Sequence, residues 1–277
     1  MNVVKKTAFP TIKWPAEAIW EQIVPLLPNF TVEVLPEIDS TNTELMRRAK
    51  AGQSEPILLI AEKQTAGRGR LGREWHDLGD RASDSLPALT FSVGMSLSPV
   101  DWSGLSLAVG VSIAQSLHPS IGLKWPNDLW LSDAKGDRKL AGILIETCTV
   151  GDQRYVVIGV GINITQPAQQ TMAQQPTLRT PAACLQELLP NITAPAALQQ
   201  LMLPLVQALV LFAERGFAPY QTRFNALDAL KNRKISVDGT TRLEGLGLGV
   251  NHKGELMVQT AQGQTTVNSS EVSVKPL

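Results

Sequence analysis

Two cysteines and three histidines are all that this 277-residue sequence carries of the usual metal-binding side chains. Cys148 and Cys184 lie far apart and in no ligand-spaced motif, which excludes a disulfide scaffold and reads as reduced core thiols of a cytosolic chain. His76, His118 and His252 are scattered, without the HExxH or clustered Cys/His spacing of a metal site. Neither sign of charge is in excess: Lys+Arg and Asp+Glu are 25 each. A dedicated nucleic-acid binder carries a basic surplus, so that class is disfavoured. The start, MNVVKKTAFPTIKWP, has lysines but no apolar stretch behind them, unlike a secretory signal. No apolar run reaches the ~18 residues of a membrane span. The expected location is cytoplasmic. With 43% hydrophobic residues, the chain can fill one sizeable core and a second small domain.

What is present divides into three parts. Residues 1–30 are proline-rich, with room for one short helix over 16–27, too little for a helix-turn-helix module. From 31 to 230, strands and helices are mixed. TVEVLPEI reads as a strand and STNTELMRRAKAG as a helix, with Thr41 and Glu44 as a capping box and Gly52 as the stop. PILLIAEKQ is a buried strand, and ALTFSVGMSL alternates as another. LSLAVGVSIAQSL shows one apolar helix face. IGLKWPNDLWL, RKLAGILIETC and RYVVIGVGINI read as three further strands, and LQQLMLPLVQALVLFAERGF as a helix kinked or delayed by Pro204. Two stretches, 77–87 and 165–181, are polar and aperiodic. After 231, short strands separated by DGT, HKG and QGQ predict a small all-β barrel. The predicted fold is α+β, a mixed sheet with a C-terminal barrel.

The densest chemistry is QTAGRGRLGREW at 64–75. Its glycines let a ligand approach the main chain, and its arginines offer planar donor forks for carboxylate or phosphate oxygens. Gly67, Gly69 and Gly72 spell GxGxxG, but no helical periodicity follows, so a dinucleotide fold is not indicated. Arg73 and Glu74 stand where a phosphate-binding loop needs Lys and Ser/Thr, and no kinase HRD or DFG occurs.

This segment is one of an ordered series: DSTN at 39–42, the loop itself, KWPNDLWL at 124–131, RKLAGILIE at 138–146, GVGINI at 159–164 and FAPY at 217–220. In that series the chain resembles the biotin protein ligases over nearly its whole length after residue 30. The resemblance implies a biotin/lipoate-ligase-type catalytic domain with an SH3-like barrel. It implies an enzyme that uses ATP and Mg2+ to make biotinoyl-AMP, then passes the biotinyl group to one lysine of a carboxylase's biotin carrier domain, such as that of acetyl-CoA carboxylase. A homodimer is compatible with it. DNA-binding members carry an N-terminal winged helix-turn-helix, which 1–30 is too short to supply, so specific DNA binding is not expected.

By the same resemblance Ser40, Thr41, Asn42 and Gln64 take the ureido ring, whose two N–H donors and one carbonyl suit short hydroxyl and amide side chains. Trp75 walls the apolar part of biotin or serves only packing. Arg68, Gly69 and Arg70 cross the carboxylate and phosphate region, with glycine N–H groups as extra donors. Arg70, Arg73, Lys139 and Asn163 are assigned to the nucleotide, and Lys139 and Arg70 to catalysis. Gly159, Gly161 and Asn163 are read as a close-approach strand end beside biotin and the adenine ring, or GxG as a sterically tight strand crossing. Lys124 is either ligand-directed or structural, and Asn127 and Asp128 position basic side chains or a metal. No metal ligand is assigned, and the loop at 165–181 has no tryptophan to cover the adenine. Lipoate–protein ligase is the near alternative, and a non-enzymatic regulator binding biotin or nucleic acid is the distant one.

Overall fold

The computed structural model describes residues 12–75, 85–166, 180–239, 242–268 and 272–277. Most of the two aperiodic stretches, including the one expected to lack an adenine-covering tryptophan, lies outside these residues. Seven strands form the main sheet: β1 (Thr31–Leu35), β2 (Ile57–Ala61), β3 (Ala88–Ser96), β4 (Gly122–Lys124), β5 (Asp128–Asp133), β6 (Gly136–Val150) and β7 (Gln153–Asn163). Their order is β1-β2-β3-β7-β6-β5-β4. β1 and β2 are parallel and every other pair is antiparallel, so the sheet is mixed.

Strand alternation gives the sheet two different faces. In β3, Leu89, Phe91, Val93 and Met95 enter the large core, as do Val156, Ile158, Val160 and Ile162 of β7. Helices α3 (Leu105–Leu117) and α4 (Ala194–Arg215) pack on each other and on this face. The opposite face carries α2 (Thr41–Lys50), whose Leu45 and Ala49 close a small second core with Tyr155 and Val157. The site lies on this second face.

Several expectations change. The short helix α1 (Ala16–Ile23) buries Ile19 and Ile23, and with Leu27 and Phe30 it joins the main core, so this part of the proline-rich start is built into the body. IGLKWPNDLWL is a hairpin of β4 and β5. Pro126 has no N–H to donate to a ladder and stands in the turn, where the Trp125–Pro126 bond is cis. Helix α4 starts at Ala194, capped by the Thr193 hydroxyl accepting from Ala196 N–H, and runs through Pro204. It is long and apolar enough to cross a membrane by length and composition. Half of its apolar window is inside the protein, however, and Leu198, Leu201, Leu205, Leu209 and Phe212 are core residues.

A short helix, α5 (Gln221–Leu227), leads to the C-terminal sheet of β8 (Lys234–Asp238), β9 (Leu243–Val250), β10 (Leu256–Thr260), β11 (Gly263–Val267) and β12 (Ser273–Pro276). All its pairs are antiparallel, in the order β11-β10-β9-β8-β12, the small SH3-like unit expected. It is docked firmly. Trp125 Nε1 donates to the Gly254 carbonyl at 3.0 Å, and Arg233 pairs with Asp137 at 2.6 Å.

Asp228 lies at this junction. One carboxylate oxygen accepts from Leu230 N–H at 2.9 Å, while Oδ2 is buried without a partner. Burial pushes its pKa up to about 6. A carboxyl raised from 3.8 to about 6 on folding loses stability as pH rises across that window, and above it the protein carries the full cost. Asp228→Asn should therefore leave stability unchanged near pH 4 and raise it by roughly 1–2 kcal/mol at pH 8. Denaturant unfolding of both proteins at the two pH values measures this; a variant less stable than the parent at pH 8 refutes it.

Candidate active site

One cavity of about 800 Å³ gathers nearly all the residues singled out in the sequence: Ser40, Thr41, Asn42, Gln64, Arg68, Gly69, Arg70, Arg73, Trp75, Lys124, Asn127, Asp128, Lys139, Gly159, Gly161 and Asn163. Gly142, Gly159 and Gly161 line its floor. Cross-strand partners Thr90, Gly161, Gly142 and Asp128 form one row across β3, β7, β6 and β5, and Ser92, Gly159 and Leu144 form the next.

The missing side chains admit the protein's own groups. A Cβ on Gly159 would stand 2.1 Å from Asn42 Oδ1, and one on Gly161 would stand 2.4 Å from the Trp75 ring. These two glycines were expected to make room for biotin. They line the cavity and also make room for Asn42 and Trp75, which stand beside it.

At one end lies a neutral hydrogen-bonding group. Helix α2 begins here, and its cap is Ser40, whose oxygen accepts from Thr43 N–H at 3.4 Å. The expected cap, Thr41, is the first helical residue, which turns its hydroxyl into the site, and Glu44 pairs with Arg47 and Arg48 rather than closing a capping box. Gln64 Oε1 accepts from Thr41 N–H at 2.9 Å. Asn42 reaches across to Glu146 Oε2 at 3.0 Å. Ser92, fully buried, touches both Thr41 and Asn42 at 2.7 Å.

Ser92 and Glu146 were missed in the sequence. The signal was present in ALTFSVG, whose alternation places Thr90 and Ser92 on the face opposite Leu89, Phe91 and Val93.

At the other end lies a cationic group. Asp128 stands between Lys139 Nζ at 2.7 Å and Lys124 Nζ at 3.6 Å. Burial opposes its charge, but Lys139 and Lys124 outweigh that and hold its carboxyl below the usual range. Burial pushes the Lys124 ammonium below its ordinary pKa, partly offset by Asp128. Asn127 donates to the Ile143 carbonyl at 2.8 Å and faces Arg70 with its oxygen at 3.4 Å. Asn127 and Asp128 of KWPND thus contact the basic side chains Arg70, Lys124 and Lys139, and Lys124 itself lines the cavity.

Lys139 owes its aim to a β-bulge. Trp130 pairs with Lys139 but Leu129 with Ala141, leaving Leu140 as the extra residue. Leu140 and Ala141 both enter the core while Lys139 faces the cavity. Its backbone is pinned on both sides: its N–H donates to the Pro181 carbonyl at 2.7 Å, and its carbonyl accepts from Ala183 N–H at 2.8 Å. Asn163 serves that pinning. Its amide donates to the Lys139 and Ala183 carbonyls at 3.3 and 3.0 Å, while its Oδ1 is buried without a partner and the residue lines the cavity.

The Gly/Arg loop is more ordered than its composition suggests. Gly69 N–H donates to the Arg73 carbonyl at 2.7 Å and Trp75 N–H to the Gly67 carbonyl at 2.9 Å, which makes a miniature hairpin. The Gly69 N–H expected to face a ligand is consumed inside the loop. At the tip Leu71, a non-glycine residue, adopts φ 57°, ψ 37° and exposes its side chain, a left-handed conformation that costs about 1–2 kcal/mol. Arg68 pairs with Glu146 at 3.1 Å. Arg70 points inward, where burial lowers its pKa against the pull of Asp128. Arg73 reaches the C-terminal sheet at Ser273 Oγ, 3.5 Å away. Ser273, Val274, Lys275 and Pro276 of β12 line the same cavity, so the C-terminal sheet forms part of its wall.

A mixed sheet carrying a glycine-floored pocket, amide and hydroxyl groups at one end and four basic side chains at the other, defines a class of acyl-activating ligases. Residues 34–163 match the model of the biotin/lipoate A/B protein ligase family, and the chain belongs to that family. Its relatives are on the biotin side. It is 35% identical over 249 residues to the bifunctional ligase/repressor BirA of Escherichia coli, covering 86% of this chain and 72% of that one. It is 41% identical over 150 residues to the biotin–[acetyl-CoA-carboxylase] ligase of Mycobacterium tuberculosis, half of each chain. Among solved structures, the Aquifex aeolicus biotin protein ligase in complex with biotin and ATP superimposes with a TM-score of 0.71 at 25% identity, covering 90% of this chain and all of that one.

Proposed function

We propose that the chain is a biotin–carrier-protein ligase and that biotin lies along the glycine trough, its ureido ring at Ser40, Thr41, Asn42 and Gln64 and its carboxylate at Arg70 and Lys139. The observation that carries this reading is the order of chemistry along β7. Gly159 lies under Asn42, Gly161 under Trp75, and Asn163 beside the Lys139 backbone. Successive pairs are about 6–7 Å apart, so the pocket runs from neutral hydrogen-bonding groups, past an indole, to cations. Biotin has the same sequence of parts: a cyclic urea, an apolar bicycle and chain, and a carboxylate.

In the first step a biotin carboxylate oxygen attacks the α-phosphorus of ATP. The new P–O bond forms as the bond to pyrophosphate breaks, giving biotinoyl-AMP. Two anions must meet, and fixed cations lower that barrier because they are already oriented. Arg70, Arg73, Lys124 and Lys139 fill this role. In the second step a carrier lysine amine attacks the acyl carbon and AMP leaves. Among the described residues no three His, Cys, Asp or Glu side chains converge as a metal cage. Mg2+ is therefore proposed to arrive on the phosphates of ATP, as that ion commonly does. Specific DNA binding is no part of the proposal.

The purified protein with ATP, Mg2+ and biotin should release pyrophosphate and label a single lysine of a biotin carrier domain. A lipoyl domain with lipoate, run in parallel, should remain unlabelled. Labelling of the lipoyl domain and none of the carrier would overturn the reading.

A further inference from the structure

Ser92 supports an inference that rests on the biotin reading. Its hydroxyl lies 2.7 Å from both Thr41 Oγ1 and Asn42 Oδ1. One hydroxyl holds one hydrogen and cannot donate to both. Asn42 decides which. Its Nδ2 stands 3.0 Å from Glu146 Oε2 and 3.3 Å from the Leu144 carbonyl oxygen. Turned over, the amide would set its oxygen against two acceptors, so this orientation is the one that can be satisfied. Oδ1 therefore faces Ser92 and can only accept.

It follows that Ser92 donates to Asn42 and that its own oxygen accepts from Thr41. The single Thr41 hydrogen goes to Ser92 at 2.7 Å and not to Gln64 Oε1 at 3.2 Å, which already accepts Thr41 N–H. Thr41 then has only a lone pair for the pocket. Gln64, its oxygen turned to Thr41, has its NH₂ group left to offer.

We infer that Ser92 is a specificity-determining positioning residue: it holds Thr41 as an acceptor, so that this end of the pocket takes a ring N–H and refuses a ring acceptor. The Glu146 carboxylate thus sets hydrogen-bond direction at the ligand through three residues, Asn42, Ser92 and Thr41 in turn.

The test is equilibrium binding without ATP, comparing biotin with the two cyclic carbamates in which a ring oxygen replaces one or the other N–H. The parent should bind at least one carbamate about 100-fold more weakly than biotin, because an acceptor would meet an acceptor. In Ser92→Ala the Thr41 hydrogen is released and can turn to the ring oxygen, so that ratio should fall at least tenfold. Ser92→Thr, which keeps a hydroxyl, should hold the parent ratio. General damage to the pocket would weaken both ligands alike and leave the ratio in place. Should alanine prevent folding, Ser92→Cys, a poorer donor and acceptor, serves the same comparison. Parent ratios within threefold for both carbamates, or an unchanged ratio in a folded alanine or cysteine variant, overturn the inference. A parent that binds no biotin at all refutes the functional reading instead.

Discussion

Lys139→Ala should lower turnover by about 10²- to 10³-fold while weakening biotin binding less than about tenfold. The magnitude is that of removing one oriented donor from a site of developing charge. The asymmetry follows from where the ammonium is held. Its Nζ is 2.7 Å from Asp128 Oδ1 and 5.8 Å from the centre of the Trp75 ring, at the cationic end of the cavity and away from Thr41 and Gln64. Negative charge accumulates there during phosphoryl and acyl transfer rather than on binding. The bulge at Leu140 and the pinned backbone keep the stem in place before substrate arrives. Rapid-quench single-turnover kinetics and equilibrium biotin titration separate the two quantities. Turnover equal to the parent's would make Lys139 a partner of Asp128 and nothing more.

Arg70→Gly should still bind biotin but let go of biotinoyl-AMP. A mixed anhydride acylates any accessible amine, so the enzyme has to retain it until the carrier docks. Arg70 turns inward from the miniature hairpin and faces Asn127 at 3.4 Å. A charge-assisted contact to the adenylate phosphate contributes roughly 1.5–3 kcal/mol, or about 10- to 150-fold in retention. The groups proposed for the ureido ring lie elsewhere and remain. The variant should therefore release adenylate faster and biotinylate lysines of bystander proteins. Arg70→Lys restores charge without the two-pronged geometry and should fall between. Adenylate dissociation as slow as in the parent would remove Arg70 from this role.

Most of the site's membership was readable from residues, but its internal wiring was not. Motifs that are contiguous in the chain converge on one cavity because strand alternation delivers Gly159, Gly161, Ser92 and Glu146 to a single face. Which of them touch a ligand depends on pairing across strands, a non-local property. Hence the sequence did not reveal that Gly159 and Gly161 accommodate Asn42 and Trp75, or that Asn163 braces Lys139, although all three line the cavity as expected of site residues. The Gly69 N–H was offered to a ligand although Arg73 takes it within the loop. The cap shifted by one residue because Ser40 and Thr41 both carry hydroxyls, and only the extended backbone of Ser40, φ −160°, marks where the helix begins. The KWPND turn was legible in principle from Pro126.

The pocket that begins with Ser40 is completed by Ser273 to Pro276 of the last strand. No fragment of the chain holds all of its walls, so affinity belongs to the fully assembled native state. Occupancy then acts on cooperativity. Ligand at a hundred times its dissociation constant adds about 2.7 kcal/mol to every opening that separates the C-terminal sheet from the body. Local detachment of that sheet, which would otherwise leave the body folded, then carries the same ligand penalty as unfolding of the body.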